Sequence, residues 1–512
     1  MSALFVNFLI DPYLKEVLKE IRYRNPELVS YLACHERPTE ELTSLPFLDS
    51  SLLYNANSFE KAFNNIPPKN LKQNEIKNLF EGLMYVQKSI DRVAPMPNSI
   101  HYNENYFWEL CEYFKSFFTL NKNIKNIVFD ATPHLPHDLI LFFIAKELSI
   151  KTIILKRTGI AGLCYLNEDF RHEKNFWKFN YGLENKLKEI FKEKKNFIYE
   201  LKNLEFAKDQ INGQWPEDVN KKSVYRNISS FIKRYKKLNF IIFLFRIIKD
   251  VFSLPYIQKE GASKNFFLNS AFSHNQKIKY IDYFFSKIRY SLKLSKLIND
   301  DKKNLINTNI LKNKTYIFFP LHFQPEASTL PEGGFYENQY LSLKIISENL
   351  PDNYLLVVKE HPKQLFNDIR NFHFRSESFY AKIKKLKNTL LFSAISNYSE
   401  ILKSSKIVAT ISGSVAWQGL LSGKPTIIFS DMWLNDCKSV LMYQSNEHEF
   451  KKQILNISSH STDKVYENIK SFLQENSNYF FDSIIFHKHS RFTDNIKNCI
   501  INLTFAVISR LK

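Results

Sequence analysis

The feature that most constrains this chain is a run of short apolar segments between Lys314 and Phe429 that alternate with helical patterns. Five of these segments read as buried strands: TYIFF, NYLLVV, NTLLFS, KIVATI and PTIIF. The segments between them have the apolar spacing of short helices. Strands that alternate with helices in this way predict a parallel sheet covered by crossover helices. We therefore expect a Rossmann-like domain over residues 314–450.

A second strand–helix–strand unit lies in the N-terminal part of the chain. Ile127–Phe129 reads as a buried strand, HDLILFFIAKEL has helical spacing, and KTIIL reads as the next strand. A chain of 512 residues also exceeds the usual size of one hydrophobic core. We predict an N-terminal α/β domain over residues 1–170, whose first 120 residues mix helical patterns with polar turns. A basic helical segment over 171–313 and a C-terminal helical region over 451–512 complete the predicted organisation.

The net charge of the chain is concentrated in one central segment. Residues 221–314 contain 21 Lys and Arg against 5 Asp and Glu, a net charge of +16 out of +19 for the whole chain. The stretch KYIDYFFSKIRYSLKLSKLI places apolar residues on one helical face and basic residues opposite. Such helices either pack on a core with solvated basic faces or dock on an anionic membrane, and residues 221–300 are the candidates for docking. Because the aromatic residues follow the apolar face, the pattern does not favour a nucleic-acid interface.

Other features of the chain bear on its location. The five cysteines are scattered and form no CxxC pair, which suggests neither a zinc site nor a disulfide framework. The first 20 residues lack a basic segment and reach Asp11 early, unlike a signal peptide. No apolar run has the length of a membrane span. We expect a cytoplasmic protein that associates peripherally with the inner face of the inner membrane.

Polar side chains follow three predicted strands of the C-terminal domain, at the carboxyl ends where open parallel sheets bind ligands. They are His322, Gln324 and Glu326 after the first strand, Lys359, Glu360 and His361 after the second, and Thr410, Ser412 and Ser414 after the fourth. The last group opens a helix, whose N–H groups and partial positive charge attract anions. Gly413 lets the backbone approach closely, and the serine hydroxyls add donors. One serine could simply cap the helix, but the three groups together predict a phosphate site.

The ordered set FPLHFQPEAS, VKEHP and TISGSVAWQGLLSGKPTIIF resembles the bacterial capsule polysaccharide biosynthesis family over residues 316–433. That family includes Kdo transferases and is similar in layout to the GT-B glycosyltransferases. The resemblance implies two Rossmann-like domains in a GT-B-like arrangement, a CMP-activated sugar as donor, and no cofactor. It also implies that His361, Ser412 and Ser414 hold the donor phosphate, with Lys359 and Glu360 beside it.

The sequence departs from this family at Gln418, where related sequences often have glutamate. In GT-B enzymes an acid at this place in the helix commonly holds the ribose of the nucleotide. A neutral amide is a weaker acceptor than a carboxylate. The departure therefore leaves the identity of the nucleotide open.

The N-terminal domain is expected to hold the acceptor and a general base. In FDATPHLPHD, Asp130 ends a strand, and His137 and Asp138 precede the helical pattern. These side chains could deprotonate an acceptor hydroxyl, or His137 and Asp138 could merely cap the helix. A metal site that uses His134 and His137 is disfavoured, because Pro136 intervenes and no third ligand is evident. Glu326 is a rival for the base.

Together these features predict a glycosyltransferase of bacterial capsular or surface polysaccharide synthesis. It would transfer a Kdo-like sugar from a nucleotide donor to a lipid-linked or glycan acceptor. A CDP-polyol phosphotransferase is an alternative, although such enzymes usually carry an aspartate in the serine turn. A non-catalytic assembly or export factor with the same fold is another, which the intact set of polar groups at the strand ends does not favour.

Overall fold

The structure, a computed structural model, contains two separate β-sheets, one in each of two α/β domains. The described residues are 2–38, 40–93, 99–172, 187, 191, 197–203, 289, 292–324, 326–365, 374–376, 378–485 and 495–512. Of the candidate membrane-docking residues 221–300, only 289 and 292–300 are among them, so that prediction lies almost entirely outside the described residues. The charged helical pattern that precedes it is described only in part, at α6 (Phe197–Asn203).

The N-terminal domain contains a seven-stranded sheet. Its strands are β1 (Ser2–Val6), β2 (Val29–Cys34), β3 (Phe47–Asp49), β4 (Ile124–Phe129), β5 (Lys151–Arg157), β6 (Leu163–Asn167) and β13 (Phe481–Asp482). In space they follow the order β3-β2-β1-β4-β5-β6-β13. The first five strands are parallel, while β6 and β13 are antiparallel additions at one edge.

Helices cover both faces of this sheet. They are α1 (Pro12–Arg24), α2 (Phe59–Ala62), α3 (Gln73–Val93), α4 (Ile100–Leu120), α5 (Pro136–Glu147) and, from the end of the chain, α14 (Ile496–Leu511). One buried cluster joins α3, α4 and α5 to the sheet, and a second joins α1 and α14 to the opposite face. The start of α1 is fixed locally, because Asp11 accepts a hydrogen bond from the Tyr13 N–H at 2.9 Å and Pro12 occupies the first helical turn.

The C-terminal domain contains six parallel strands. They are β7 (Thr315–Pro320), β8 (Tyr354–Lys359), β9 (Thr389–Phe392), β10 (Ile407–Thr410), β11 (Thr426–Ile428) and β12 (Val440–Met442). The helices in this part of the chain are α7 (292–302), α8 (Gln339–Glu348), α9 (Phe379–Lys384), α10 (Tyr398–Ser404), α11 (Ser414–Leu421), α12 (Glu447–Ser458) and α13 (Thr462–Glu475). The spatial order of the strands is β9-β8-β7-β10-β11-β12.

Both sheets have the strand order of a Rossmann fold. From one edge, each runs third, second, first, fourth, fifth in the order of its own strands. The predicted fold class, α/β with two Rossmann-like domains, is therefore confirmed. In each sheet the direction of winding reverses between the first and fourth strands, which are β1 and β4 in one domain and β7 and β10 in the other. The crevice beyond these two strands is where such sheets bind ligands.

The structure corrects the prediction for the first 120 residues. They contain three strands of the N-terminal sheet, β1, β2 and β3, besides helices. The prediction failed because these strands are only 5, 6 and 3 residues long. A short apolar run such as SALFV does not by itself distinguish a strand from part of a buried helix.

An apolar cluster joins the two domains. Ile160, Leu163 and Tyr165 from the β5–β6 region of the N-terminal domain pack with Trp417 and Leu420 of α11. The approach is close, because a Cβ added to Gly159 would lie 2.6 Å from Cδ1 of Trp417. The two domains therefore share one hydrophobic core at this point.

Candidate functional site

The carboxyl ends of the two sheets face each other. Glu332, which follows β7, accepts hydrogen bonds from Thr132, which follows β4, and from Lys156 near the end of β5, each at 2.5 Å. The Lys156 ammonium also donates to the Thr132 hydroxyl at 3.0 Å. Burial alone would raise the pKa of Glu332, but Lys156 and Thr132 hold it below its ordinary value. Ligand groups at the two strand ends can therefore belong to one inter-domain site.

His322 and Thr410 are brought together at the switch point of the C-terminal sheet. Nε2 of His322 lies 2.7 Å from the Thr410 hydroxyl, which itself donates to the Ser412 carbonyl at 3.0 Å. Because a hydroxyl has a single proton, Thr410 must accept from His322, so Nε2 carries the imidazole proton. Burial and the nearby Arg375 lower the pKa of His322 to about 4. The ring is therefore neutral at pH 7, and its N–H is already used to support the turn before α11.

The turn between β10 and α11 is the predicted phosphate loop. Gly413 has φ +81° and ψ −165°, a backbone conformation that favours glycine. A Cβ there would meet only ordinary contacts, at 3.5 Å from Ser328 and 3.7 Å from His322, so the need for glycine comes from the backbone angle. Ser414 is exposed as the first residue of α11, whereas Ser412 is buried. The exposed donors at this end of the helix are therefore the Ser414 hydroxyl and the first N–H groups of α11.

Ser412 has a different environment from the one expected. Its hydroxyl donates to the Ser328 carbonyl at 2.6 Å, which ties the turn to the loop after β7. The Ser412 hydroxyl therefore stabilises the turn, and Ser414 is the serine of the turn whose side chain is exposed.

Glu360 lies in a buried ion pair. Its carboxylate accepts from Arg375 through Nε at 2.9 Å and Nη2 at 3.1 Å, and from the Tyr380 hydroxyl at 2.8 Å. It also accepts from the His361 N–H at 2.6 Å. Both side chains of the pair are fully buried. The structure thus gives Glu360 a scaffolding role in place of the predicted position beside the donor phosphate.

Lys359 is also engaged inside the domain. Its ammonium donates to the carbonyls of Ala394, at 2.7 Å, and Glu360, at 3.3 Å. Burial lowers the pKa of Lys359 to about 8, although Asp301 and Glu360 oppose the shift. The two contacts that the structure gives this buried ammonium are therefore with backbone carbonyls of the C-terminal domain.

Gln324 belongs to the same buried network. Its carbonyl oxygen accepts from Arg375 and, at 3.1 Å, from Gln339, while its amide donates to the Glu337 carbonyl at 2.8 Å. Gln339 also holds both the N–H and the carbonyl of His322, at 2.7 and 3.1 Å. These contacts fix the loop after β7, so Gln324 is buried and supports the backbone of His322 through Gln339.

His361 is the half-buried histidine of the predicted site. Its Nδ1 accepts from the Lys363 N–H at 3.3 Å, which leaves the proton of the neutral ring on Nε2. Burial lowers the pKa of His361 well below its usual value, and the nearby Lys359 and Lys363 act in the same direction. His361 therefore offers a neutral N–H donor next to cationic side chains, a combination suited to a phosphate oxygen.

Gln418 lies on α11, one turn after the phosphate loop. It is buried, and its carbonyl oxygen accepts from the Tyr398 hydroxyl at 2.6 Å. This contact uses one of the two lone pairs of the Gln418 carbonyl oxygen. Glu326 is partly exposed, and its charge acts on Arg157 at the end of β5 in the N-terminal domain. Glu326 therefore remains a candidate at the domain boundary.

The predicted base cluster follows β4 in the N-terminal domain. Asp130 is partly exposed, whereas His137 and Asp138 are each 3% exposed at the start of α5. Burial raises the pKa of Asp130 to about 7 and that of Asp138 to about 8. Burial also lowers the pKa of His137 to about 3, and neither ring nitrogen has a hydrogen-bond partner among the residues that the structure describes. His137 is therefore neutral, and the 3.4 Å separation of its Nε2 from Asp138 is not an ion pair at pH 7.

Sequence reasoning missed several residues at the site. Asn7 follows β1 and donates to Asp138 at 3.2 Å, and it was overlooked because β1 was not recognised as a strand. Arg375 pairs with Glu360 from 15 residues further along the chain, and no sequence pattern indicated it. Glu332 and Lys156 cross the domain boundary, and only the strand-end position of Lys156 could have drawn attention to it.

Within the described ranges, no group of three or more His, Cys, Asp or Glu side chains could hold a metal ion. None of the helices in that same part of the chain combines the length and apolar character needed to cross a membrane.

Comparisons with known proteins give only remote structural likeness. No protein-family model and no curated protein sequence matches the chain. UDP-GlcNAc 2-epimerase from Methanocaldococcus jannaschii, in complex with UDP-GlcNAc and UDP, is 12% identical, with 93% of this chain and 100% of that chain covered and a TM-score of 0.24. The wall teichoic acid polymerase TagF is 10% identical, with 100% and 89% covered and a TM-score of 0.22. UDP-GlcNAc 2-epimerase from Neisseria meningitidis, bound to UDP-GlcNAc, is 11% identical, with 93% and 99% covered and a TM-score of 0.24. At these scores the likeness supports no argument about function, and the fold assignment rests on the strand orders given above.

Proposed function

We propose that this chain is a glycosyltransferase of bacterial capsular or surface polysaccharide synthesis that uses a nucleotide-activated sugar, with a CMP-activated, Kdo-like sugar as the favoured donor. The observation that carries the proposal is that two unlike groups follow strands of the two sheets whose carboxyl ends are joined by the contacts of Glu332 with Thr132 and Lys156. One is the glycine-led N-terminus of α11, and the other is the carboxylate of Asp130, whose pKa burial raises to about 7. An anion site and a base close to neutrality are the two groups that a single-displacement sugar transfer requires.

The donor side of the proposed reaction is built from the phosphate loop. The N–H groups at the start of α11, the Ser414 hydroxyl and the neutral His361 would hold the phosphate that leaves with the nucleotide. The partial positive charge of the helix end stabilises the negative charge that develops on that phosphate as the bond to the sugar breaks. His322 and Thr410 hold the loop in this conformation through their 2.7 Å hydrogen bond.

The acceptor side of the proposed reaction uses Asp130. The acceptor hydroxyl passes its proton to Asp130 while its oxygen bonds to the anomeric carbon of the sugar. At the same time the bond between that carbon and the phosphate oxygen breaks, and the nucleotide departs with the electron pair. Asp130 then returns the proton to solvent, so no covalent enzyme intermediate is needed.

The donor half of the proposal is tested by calorimetric titration of the full chain with CMP, CDP and UDP. We expect CMP to bind, and we expect His361→Ala to weaken binding by roughly tenfold or more, because a hydrogen bond to a charged group is lost. His460→Ala is the matched control, since His460 is also a half-buried histidine of this part of the chain. Absence of binding to any nucleotide would refute the enzyme proposal and favour the assembly or export factor.

The nucleotide preference separates the remaining alternatives. Binding of UDP alone would exclude the CMP-sugar donor. Tighter binding of CDP-glycerol than of CMP, followed by transfer of glycerol phosphate to an acceptor, would favour the CDP-polyol phosphotransferase. The expected product of the proposed enzyme carries the sugar without phosphate, which mass spectrometry of the product distinguishes.

The membrane part of the proposal rests on the charge of residues 221–300. An anionic inner membrane surface would hold the enzyme near a lipid-linked acceptor. Neutralising Lys233, Arg234, Lys236 and Lys237 should reduce flotation with vesicles that contain an anionic lipid. The control neutralises Lys382, Lys384, Lys385 and Lys387, which are exposed on and after α9. Equal flotation of the two variants and the wild type would exclude this basic segment as the docking element.

A further inference from the structure

One face of α3 carries large apolar side chains that are exposed to solvent. Ile76, Phe80 and Met84 follow one another at intervals of four residues and are 42%, 58% and 49% exposed. Residues four apart on a helix are neighbours, so these three side chains form a continuous stripe. A different face of α3, which includes Leu79 and Val86, is buried in the core of the N-terminal domain. The stripe is therefore an apolar surface additional to the one that packs α3 onto its own domain.

Phe335 continues this stripe across the domain boundary. It lies in the loop after β7 and is 88% exposed. The residues on either side of it contact α3, because a Cβ added to Gly334 would lie 3.6 Å from the Tyr85 hydroxyl, and Glu337 pairs with Lys88 at 3.0 Å. Both of these α3 residues lie within about one turn of the end of the stripe. We call the stripe together with Phe335 the boundary patch.

The acidic side chains of α3 near the boundary patch are neutralised by ion pairs. Glu75 pairs with Lys115 of α4 at 2.6 Å, and Glu81 pairs with Arg171 at 2.6 Å. Glu337, in the same loop as Phe335, is paired with α3 as described above. These carboxylates therefore give the patch no net negative charge.

The basic side chains at the start of α3 are not neutralised in this way. Lys69, Lys72 and Lys77 are exposed, and none of the three forms an ion pair with a residue that the structure describes. The acid that contacts this segment is Glu112, which is partly buried and accepts from the Leu71 N–H at 3.4 Å. Three exposed ammonium groups against one partly buried carboxylate leave an excess of positive charge at this end of the patch.

An apolar patch edged by unpaired lysines suits the surface of a bilayer that contains anionic lipids. The apolar side chains enter the boundary between headgroups and acyl chains, and the ammonium groups lie at the level of the lipid phosphates. Two other occupants would bring like charges together. Residues 221–314 of this chain carry a net charge of +16. A second copy that bound through the same patch would place its own lysines in the same interface, because a two-fold contact joins identical surfaces.

We infer that the boundary patch is a membrane contact of this protein, separate from residues 221–300, that inserts Phe80 and Phe335 into the surface of an anionic bilayer. Since one of these aromatic residues comes from each domain, the contact holds both domains at the lipid surface. Phe335 also follows Glu332, which joins the two strand ends, by only three residues. A lipid-linked acceptor would therefore meet the inter-domain site close to the membrane. That last consequence rests on the proposed function, whereas the membrane contact does not.

Insertion is tested with a fluorophore whose emission depends on the polarity around it. All five native cysteines are buried, so the probe can be attached to Phe80→Cys or Phe335→Cys in the full chain. We expect a blue shift when vesicles of equal parts phosphatidylcholine and phosphatidylglycerol are added. Tyr23→Cys is the control, because Tyr23 is 84% exposed on α1, which packs on the opposite face of the N-terminal sheet. Unchanged emission at Phe80 and Phe335 would overturn the inference, even if the chain floats with the vesicles through residues 221–300.

The contribution of the patch to binding is measured by partition into the same vesicles. Phe80→Ser combined with Phe335→Ser should lower the partition coefficient by about tenfold or more, because two aromatic side chains are no longer buried in lipid. Tyr23→Ser combined with Leu455→Ser is the matched control, since Leu455 is 47% exposed on α12. Equal partition of the two double variants would contradict the inference.

Two further outcomes separate the anionic membrane from other occupants. An equal blue shift with vesicles of phosphatidylcholine alone would refute the role of the lysines and hence the anionic surface. A dimer seen by sedimentation velocity without lipid, and lost in the Phe80→Ser and Phe335→Ser variant, would assign the patch to a second copy and overturn the inference. If no nucleotide binds but both probes enter the bilayer, the proposed function fails and the membrane contact stands.

Discussion

The buried pair between Glu360 and Arg375 gives the sharpest test of how the candidate site is constructed. In Glu360→Gln, one carboxylate oxygen is replaced by an NH₂ group that faces donors from Arg375, Tyr380 and the His361 N–H. The Arg375 guanidinium then stays in a fully buried position without its counter-charge. Removing one partner of such a pair costs about 3 to 5 kcal/mol of unfolding free energy.

This cost is large enough to measure without ambiguity. For a domain of this size class, about 3 to 5 kcal/mol corresponds to a fall in melting temperature of roughly 6 to 20 °C. The assay is thermal unfolding by circular dichroism, combined with hydrogen exchange of the β7 and β8 peptides. Glu467→Gln is the control, because Glu467 pairs with Lys464 at 3.3 Å on the surface and should lose about 0.5 kcal/mol or less.

Two outcomes would refute this reasoning. The first is a Glu360→Gln protein as stable as the Glu467→Gln control. The second is a double variant, Glu360→Leu with Arg375→Met, that is less stable than either single variant, because an apolar replacement leaves no buried charge behind. A loss of CMP affinity without a loss of stability would return Glu360 to the donor site, where sequence reasoning had expected it.

Two further predictions concern the other domain and the boundary. Burial raises the pKa of Asp138 to about 8, above its unfolded value of about 4, so its contribution to stability is lost as the pH rises through that range. Asp138→Asn should therefore raise the melting temperature more at pH 9 than at pH 5, and an equal gain at both pH values would contradict the buried-acid assignment. Gly159→Ala would place a Cβ 2.6 Å from Trp417, so we expect a loss of about 1 to 3 kcal/mol in unfolding free energy and increased hydrogen exchange in both β6 and α11. Unchanged exchange in α11 would contradict the assignment of Gly159 and Trp417 to one shared core.

The sequence predicted the parts of the fold that depend on local periodicity. Five strands of the C-terminal sheet follow from apolar runs separated by helical spacing. The sixth, β12, was missed because its three residues are only partly buried at the edge of the sheet. The strand β1 was missed for a different reason, since a run of five residues carries too little periodicity to identify it.

In the candidate site, the sequence likewise predicted some features and not others. The convergence of His322 and Thr410, 88 residues apart, follows from the rule that parallel strands end at the same edge. The direction of each side chain relative to that edge does not follow from the sequence. Glu360 and His361 are adjacent in the chain, yet one is fully buried against Arg375 and the other is half-buried. Such differences depend on a partner such as Arg375, whose approach is set by tertiary packing alone.

The packing of α11 affects how this protein could be recombined with others. Its N-terminus follows the turn that we propose as the phosphate loop, and its Trp417 is buried against the N-terminal domain. If the whole C-terminal domain were exchanged for that of another protein, the side chains that pack against the N-terminal domain at this contact would be exchanged as well. A functional chimera would need residues 159–165 from the same parent as α11, so the natural unit of exchange crosses the domain boundary.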